Sequence, residues 1–131
     1  MPANKKPRRS ESPTPVQSLG REGERLAAEY LEKKGYKVVA SRFRLFHGEI
    51  DLIAWDGDTL VFVEVKARTS DDFGLPEESV TPAKQRQVKR IALGYVVEND
   101  LEDVNCRFDV IAIEKNEDGG GPDIVHFPDA F

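Results

Sequence analysis

The chain has 131 residues, 39% of them hydrophobic and 33% charged, enough for one domain with a real core and too few for two. No apolar run reaches the roughly 18–20 residues that span a bilayer, and no secretory apolar region opens the chain, so a membrane partner is excluded and a cytoplasmic protein is expected. The net charge is −5, but residues 1–18 carry +3 and leave −8 for the remainder, which excludes a uniformly basic nucleic-acid binder.

In chain order, residues 1–18 are rich in Pro, Ser, Lys and Arg and lack apolar periodicity, the composition of a disordered basic arm, leaving 19–131 as the single domain. Gly23, Ala27, Tyr30 and Leu31 recur at helical spacing and predict a helix over 20–34, stopped by Gly35. Glu24 lies about 20° from Leu31 and about 60° from Ala27 around that helix, on the border of the apolar face, where a glutamate by itself reads as a solvated flank. A short strand follows over 36–40, then an irregular basic connection over 41–47 with Arg42, Arg44 and His47. Residues 48–55 and 60–68 read as two strands of a hairpin, and residues 69–80, with Gly, Pro and four acids, as a loop.

Thr81-Pro82 predicts a helix start, with Thr as N-cap and Pro at the first helical position, and the helix runs to about residue 98, burying Val88, Ile91, Ala92, Tyr95 and Val96. Lys84, Arg86, Lys89 and Arg90 crowd its first half, where the helix dipole disfavours cations by roughly 0.3–1 kcal/mol each. That cluster hints at an anionic ligand, and equally describes a charged surface helix. Residues 107–113 read as a third long strand, and 124–127 as a short edge strand after the Gly119-Gly120-Gly121-Pro122 break. Cys106 is the only cysteine; it excludes an internal disulfide and reads as a small core residue. His47 and His126 are isolated and read as surface or packing residues.

The hairpin carries charges inside apolar runs, which strand interiors normally exclude. If Gly57-Asp58 form a two-residue turn, or residues 56–59 form a four-residue loop, Asp51 lies opposite Glu64. If Asp56-Gly57 form the turn, Glu64 pairs with Glu49 and Asp51 is diagonal to it. In each case Asp51, Glu64 and Lys66 share a face, because residues two apart on a strand do so. Opposed carboxylates need a cation, either Lys66 in a buried ion pair or a hard divalent ion. Glu49 has the same parity and is either an extra ligand or a solvated strand end.

Glu64-Val65-Lys66, preceded by Asp51 in a hairpin, resembles the PD-(D/E)xK nuclease superfamily. More closely, Gly20, Gly23-Glu24, the stretches GEIDLIA and VFVEVKART, Phe73-Gly74, Lys84 and Arg107-Phe108-Asp109-Val110 resemble the YraN-type family of small bacterial proteins, over about residues 19–113. The order Glu24, Asp51, Glu64, Lys66 is also similar to archaeal Holliday-junction resolvases. Ile50 stands where the superfamily motif has Pro.

The resemblance implies an α/β, restriction-endonuclease-like fold, a mixed central sheet of four or five strands flanked by the two helices. It implies Mg²⁺ or Mn²⁺ held by Asp51, Glu64 and Glu24, and Lys66 as the fourth catalytic residue, orienting water or stabilising charge. Arg68, Lys84, Gln85 and Arg86 are the candidates for holding a nucleic-acid backbone. The function implied is endonucleolytic hydrolysis of structured or branched DNA, by a homodimer if paired cuts are made. The alternative is a non-catalytic nucleic-acid-binding or partner-binding module on the same fold, and a structural adaptor if Glu64 and Lys66 pair with each other.

Overall fold

The structure is a computed structural model that describes residues 15–69, 80–115 and 119–131, with side chains over 21–68, 80–115 and 119–131. The expected loop, including Phe73-Gly74, falls mostly outside the described residues, as does the arm up to residue 14. The elements are α1 (Pro15–Lys33), β1 (Lys37–Leu45), β2 (Gly48–Asp56), β3 (Thr59–Thr69), α2 (Pro82–Glu98), β4 (Asn105–Lys115) and β5 (Asp123–Phe127). The helix begins at Pro15, earlier than expected, so positions 15–18 belong to α1 and not to the arm. Proline suits a first helical position because its φ is already helical and its missing N–H has no partner there to lose.

The five strands form one sheet in the order β1-β2-β3-β4-β5. Among the described strands only β3 and β4 run parallel, and α2 lies between them in the chain, as a parallel crossover requires. The α/β class and the mixed sheet are therefore as expected, and the arrangement is consistent with a restriction-endonuclease-like fold. Strand alternation makes two cores. Val61 and Val63 face α1, where Ala27 and Leu31 pack with Leu52, Ala54, Ile111 and Ile113. Leu60 and Phe62 face the other way, onto Val88, Ile91, Ala92 and Val96 of α2. Thr81 caps α2 as expected, its Oγ1 accepting the Lys84 N–H at 3.2 Å. Tyr95 is half-buried and meets Phe43 and Phe62 edge-on. Among the described residues no helix is long and apolar enough to cross a membrane.

The expected irregular connection after residue 40 is instead a continuation of β1 to Leu45, closed by a two-residue turn at Phe46-His47. Both turn residues take left-handed φ, 51° and 59°, the conformation that hairpins usually assign to Asn and Gly. Arg42, inside the strand, is also left-handed at 52°. Cys106 is exposed at the start of β4, before the strand passes into the core, and so is not the core residue expected.

Asp109 is the most completely buried acid among the described residues, at 0% exposure, and fixes the far end of the sheet. Its Oδ1 accepts from Arg107 Nε and the Asp129 N–H, each at 2.9 Å. Its Oδ2 accepts from Arg107 Nη2 at 2.9 Å and lies 2.7 Å from His126 Nε2. Lys34 approaches His126 Nδ1 at 2.9 Å, so with the lysine donating there, Nε2 carries the hydrogen given to Asp109. His126 is thus a buried partner in a hydrogen-bond network. Arg107 goes on to Asp56 and Tyr36, tying the hairpin turn and the start of β1 to β4.

Burial pushes the Asp109 carboxyl up, but the His126, Arg107 and Asp129 hydrogen bonds outweigh it and hold the pKa down at about 2. With a folded-state pKa below the ordinary value, this stabilisation is complete above about pH 4 and is lost as pH falls through about 2, an effect of about 2 kcal/mol. Urea denaturation of Asp109→Asn should show lower stability than wild type at about pH 5 and a shallower decline towards pH 2. An unchanged acid slope would remove the assignment.

Candidate functional site

The β2–β3 ladder runs from Asp56↔Thr59 to Leu52↔Val63 and stops, whereas β3 stays paired with β4 as far as Thr69↔Lys115. The register is that of the Gly57-Asp58 turn, with Gly57 at φ 58°. The sheet opens just before Asp51 would meet Glu64. Ile50 and Ile53 both face α2 while Leu52 between them faces α1, so strict alternation breaks here. In the opening, Asp51 Oδ2 accepts the Val65 N–H at 2.8 Å, replacing a backbone ladder bond.

Three more acids converge on Asp51. Gly23 lets α1 lie close on β3, since a Cβ there would be 3.2 Å from the Ala67 Cβ. The next residue, Glu24, accepts from Arg42 Nε at 2.6 Å. Glu49 accepts from Arg44 Nε at 2.9 Å. One carboxylate oxygen each from Glu24, Glu49 and Asp51 lies within 4.8 Å of the others. Beside Asp51 stands Glu64, 6% exposed and close enough for its charge to raise the Asp51 pKa. Glu64 Oε1 is 3.7 Å from Lys84 Nζ, and its Oε2 is buried without a hydrogen-bond partner among the described residues.

The charges are far from neutralised. Burial, then the neighbouring Glu64, raises Asp51 to about 7 against the pull of the Val65 N–H. Glu64 is raised by burial despite Lys84 and Lys66, and Glu24 by burial despite its Arg42 hydrogen bond. A buried carboxylate oxygen with no donor, beside acids that resist ionising, is the environment a bound cation relieves. All the converging side chains offer oxygen, which suits Mg²⁺ or Mn²⁺. The donor set therefore fits a hard divalent ion.

The expected residues divide into two groups. Asp51 groups with Glu24 and is raised by the neighbouring Glu64, with Lys66 two residues along β3 and near enough to lower the Glu64 pKa. Lys84, expected to face a nucleic-acid backbone, reaches into the acids instead. Arg68 binds Glu114 Oε1 through Nε at 3.0 Å and Nη2 at 2.7 Å. Gln85 Nε2 donates to the Val80 carbonyl at 3.0 Å, and Arg86 is exposed on α2. Arg42 was missed as a site residue, because its left-handed backbone, which accompanies its contact with Glu24, has no signature in the residue type. Glu49, left open in the sequence, joins the acid cluster.

Fold and site together define a small α/β protein whose central hairpin parts around a group of half-buried carboxylates beside the buried Glu64. The chain belongs to the uncharacterised protein family UPF0102, the YraN-type family, whose model matches residues 23–113. Its relatives include UPF0102 proteins of Syntrophus aciditrophicus, 46% identical over 86% of this chain and 87% of the relative, and of Chlorobium limicola, 48% identical over 87% and 92%. A third, from Chlorobaculum tepidum, is 50% identical over 74% of this chain and 75% of its own length.

Because Asp51 is raised from 3.8 to about 7, the folded state is favoured below about pH 4 and loses stability as pH rises through about 7. Without metal at about pH 8, Asp51→Asn should be more stable than wild type by roughly 2–4 kcal/mol in urea denaturation. Equal or lower stability of the variant under those conditions would show that the acids are not mutually strained.

Proposed function

We propose that this protein is a divalent-metal-dependent endonuclease that hydrolyses phosphodiesters in structured or branched DNA, in the reducing cytoplasm that its exposed Cys106 suits. The observation that carries this reading is the unpartnered, buried Glu64 Oε2 beside Asp51 at the opening of the sheet. The Glu24, Asp51, Glu64, Lys66 order of the PD-(D/E)xK superfamily falls on these same elements. Asp51 and Glu64, with Glu24 and Glu49 behind them, would hold Mg²⁺ or Mn²⁺. When bound, the ion supplies Lewis acidity towards a phosphoryl oxygen and makes water more acidic.

The chain's own residues do the remainder. The Val65 N–H fixes the Asp51 carboxylate, and the parallel β3–β4 ladder holds Glu64 and Lys66 on a rigid strand. Lys66, beside the acids and partly exposed, is placed to orient water or to stabilise charge developing on the phosphate. Arg42 and Lys84 compensate Glu24 and Glu64, and each is a cation that can turn to a phosphate when the acids take up a metal. Arg86, exposed on α2, is left to contact the backbone of the nucleic acid.

That pairing of Arg42 with Glu24 and Lys84 with Glu64 also favours a second reading, a binding module that keeps the hairpin and cleaves nothing. Cleavage of branched, single-stranded and duplex DNA with Mg²⁺ or Mn²⁺ separates the two. Activity of wild type should fall by about two orders of magnitude or more in Asp51→Asn, Glu64→Gln and Lys66→Ala. Activity that survives all three changes would refute the catalytic reading. Absence of cleavage, with salt-sensitive DNA binding weakened by Lys84→Ala and Arg86→Ala, would establish the module.

A further inference from the structure

Helix α2 turns Val88, Ile91, Ala92 and Val96 to the sheet. On its opposite side, Arg90, Leu93 and Val97 recur at spacings of three and four, the stripe that a second helix covers. Leu93 is 63% exposed, Val97 54%, and Phe46 at the tip of the β1–β2 turn 48%. With Leu45, Arg90, Gly94 and Glu98 these residues line an open groove of about 520 Å³. Its floor is tight, because a Cβ on Gly94 would overlap the Leu45 Cδ2 methyl. Arg90 stacks over the Phe46 ring, 4.7 Å from its centroid, and keeps that ring on the rim.

The charges on this helix are reversed with respect to its dipole. Its first turn has no acid and its last turn no base. Lys84, Arg86, Lys89 and Arg90 occupy the first half, and Glu98, Asp100, Glu102 and Asp103 follow at the other end. Both ends are unfavourable for an isolated helix. An antiparallel copy of the same helix reverses the situation at both. With a two-fold axis at Gly94, Arg90 meets Glu98 of the other copy, a pair that occurs twice. Leu93, Val97 and Phe46 of the two copies close the apolar middle. A two-fold interface needs one patch complementary to itself, and a stripe basic at one end, acidic at the other and apolar between meets that condition.

We propose that this face is the interface of a homodimer, with α2 packed antiparallel against α2 of a second copy. The interface is separate from the acid cluster and does not depend on the nuclease reading.

Sedimentation equilibrium of the full chain over about 1–300 µM tests it. Wild type should approach twice the chain mass of 14.7 kDa. Arg90→Glu and Glu98→Arg should each weaken the dimer by about tenfold or more, since each change places two like-charge pairs in the interface, and the double variant should return to within about threefold of wild type. Far-UV circular dichroism of each variant should match wild type. A monomer throughout the range overturns the proposal, as does a dimer indifferent to both single changes or a double variant that stays monomeric. A monomeric wild type whose DNA binding weakens in Arg90→Glu would instead assign the face to nucleic acid.

Discussion

Mutual repulsion among carboxylates around Asp51 is the constraint to which the rest of the molecule is fitted. Such a cluster cannot sit within a regular ladder, because paired strands would bring Asp51 against Glu64 with nothing to separate their charge. The sheet responds by ending the β2–β3 pairing at Leu52↔Val63, and the Val65 N–H released by that ending becomes a donor to Asp51. The other elements supply what the opening lacks. β4 keeps β3 straight from its far side, α1 brings Glu24 in over Gly23, β1 sends in Arg42 from a strained backbone, and α2 sends in Lys84.

Two kinds of buried acid coexist in this small domain, and their surroundings explain the difference. Asp109 is saturated with four donors, one of them a backbone N–H, and it behaves as a rivet joining β4, β5 and the residues after β5. Among the described residues Glu64 has one distant ammonium and an oxygen with no donor. Burial penalises both, but only Asp109 recovers the loss through hydrogen bonds within the protein. A rivet is complete by itself, whereas the incomplete coordination around Glu64 is what gives the site its capacity to bind.

Much of this was legible in the sequence wherever side-chain period carried the information. The Gly57-Asp58 turn register of the hairpin and the shared face of Glu64 and Lys66 follow from strand geometry, whereas the break in alternation at Asp51 does not, and Thr81-Pro82 marks the start of α2 through the chemistry of the cap. The extent of β1 was hidden because Arg42, Phe46 and His47 adopt left-handed backbone without being Gly or Asn. Contacts between distant segments were hidden for a different reason. Neither spacing nor residue type says that Lys84 will reach Glu64, or that His126 will be sealed between Lys34 and Asp109. The exposure of Cys106 depended on where β4 enters the core, which periodicity leaves undetermined.

The fit of Leu45 over Gly94 has an evolutionary corollary. Alanine is the better helix former by about 1 kcal/mol, yet at position 94 its Cβ would take the space of the leucine methyl, so the Leu45 side chain would have to turn aside. The two positions are therefore epistatic. Trimming the side chain at 45 first opens a void against the helix, whereas enlarging 94 first displaces the Leu45 side chain from its place on the helix, so either route loses packing before the second change restores it. A lineage can exchange this knob and socket only by changing both, which ties the orientation of the turn to the history of one helix residue.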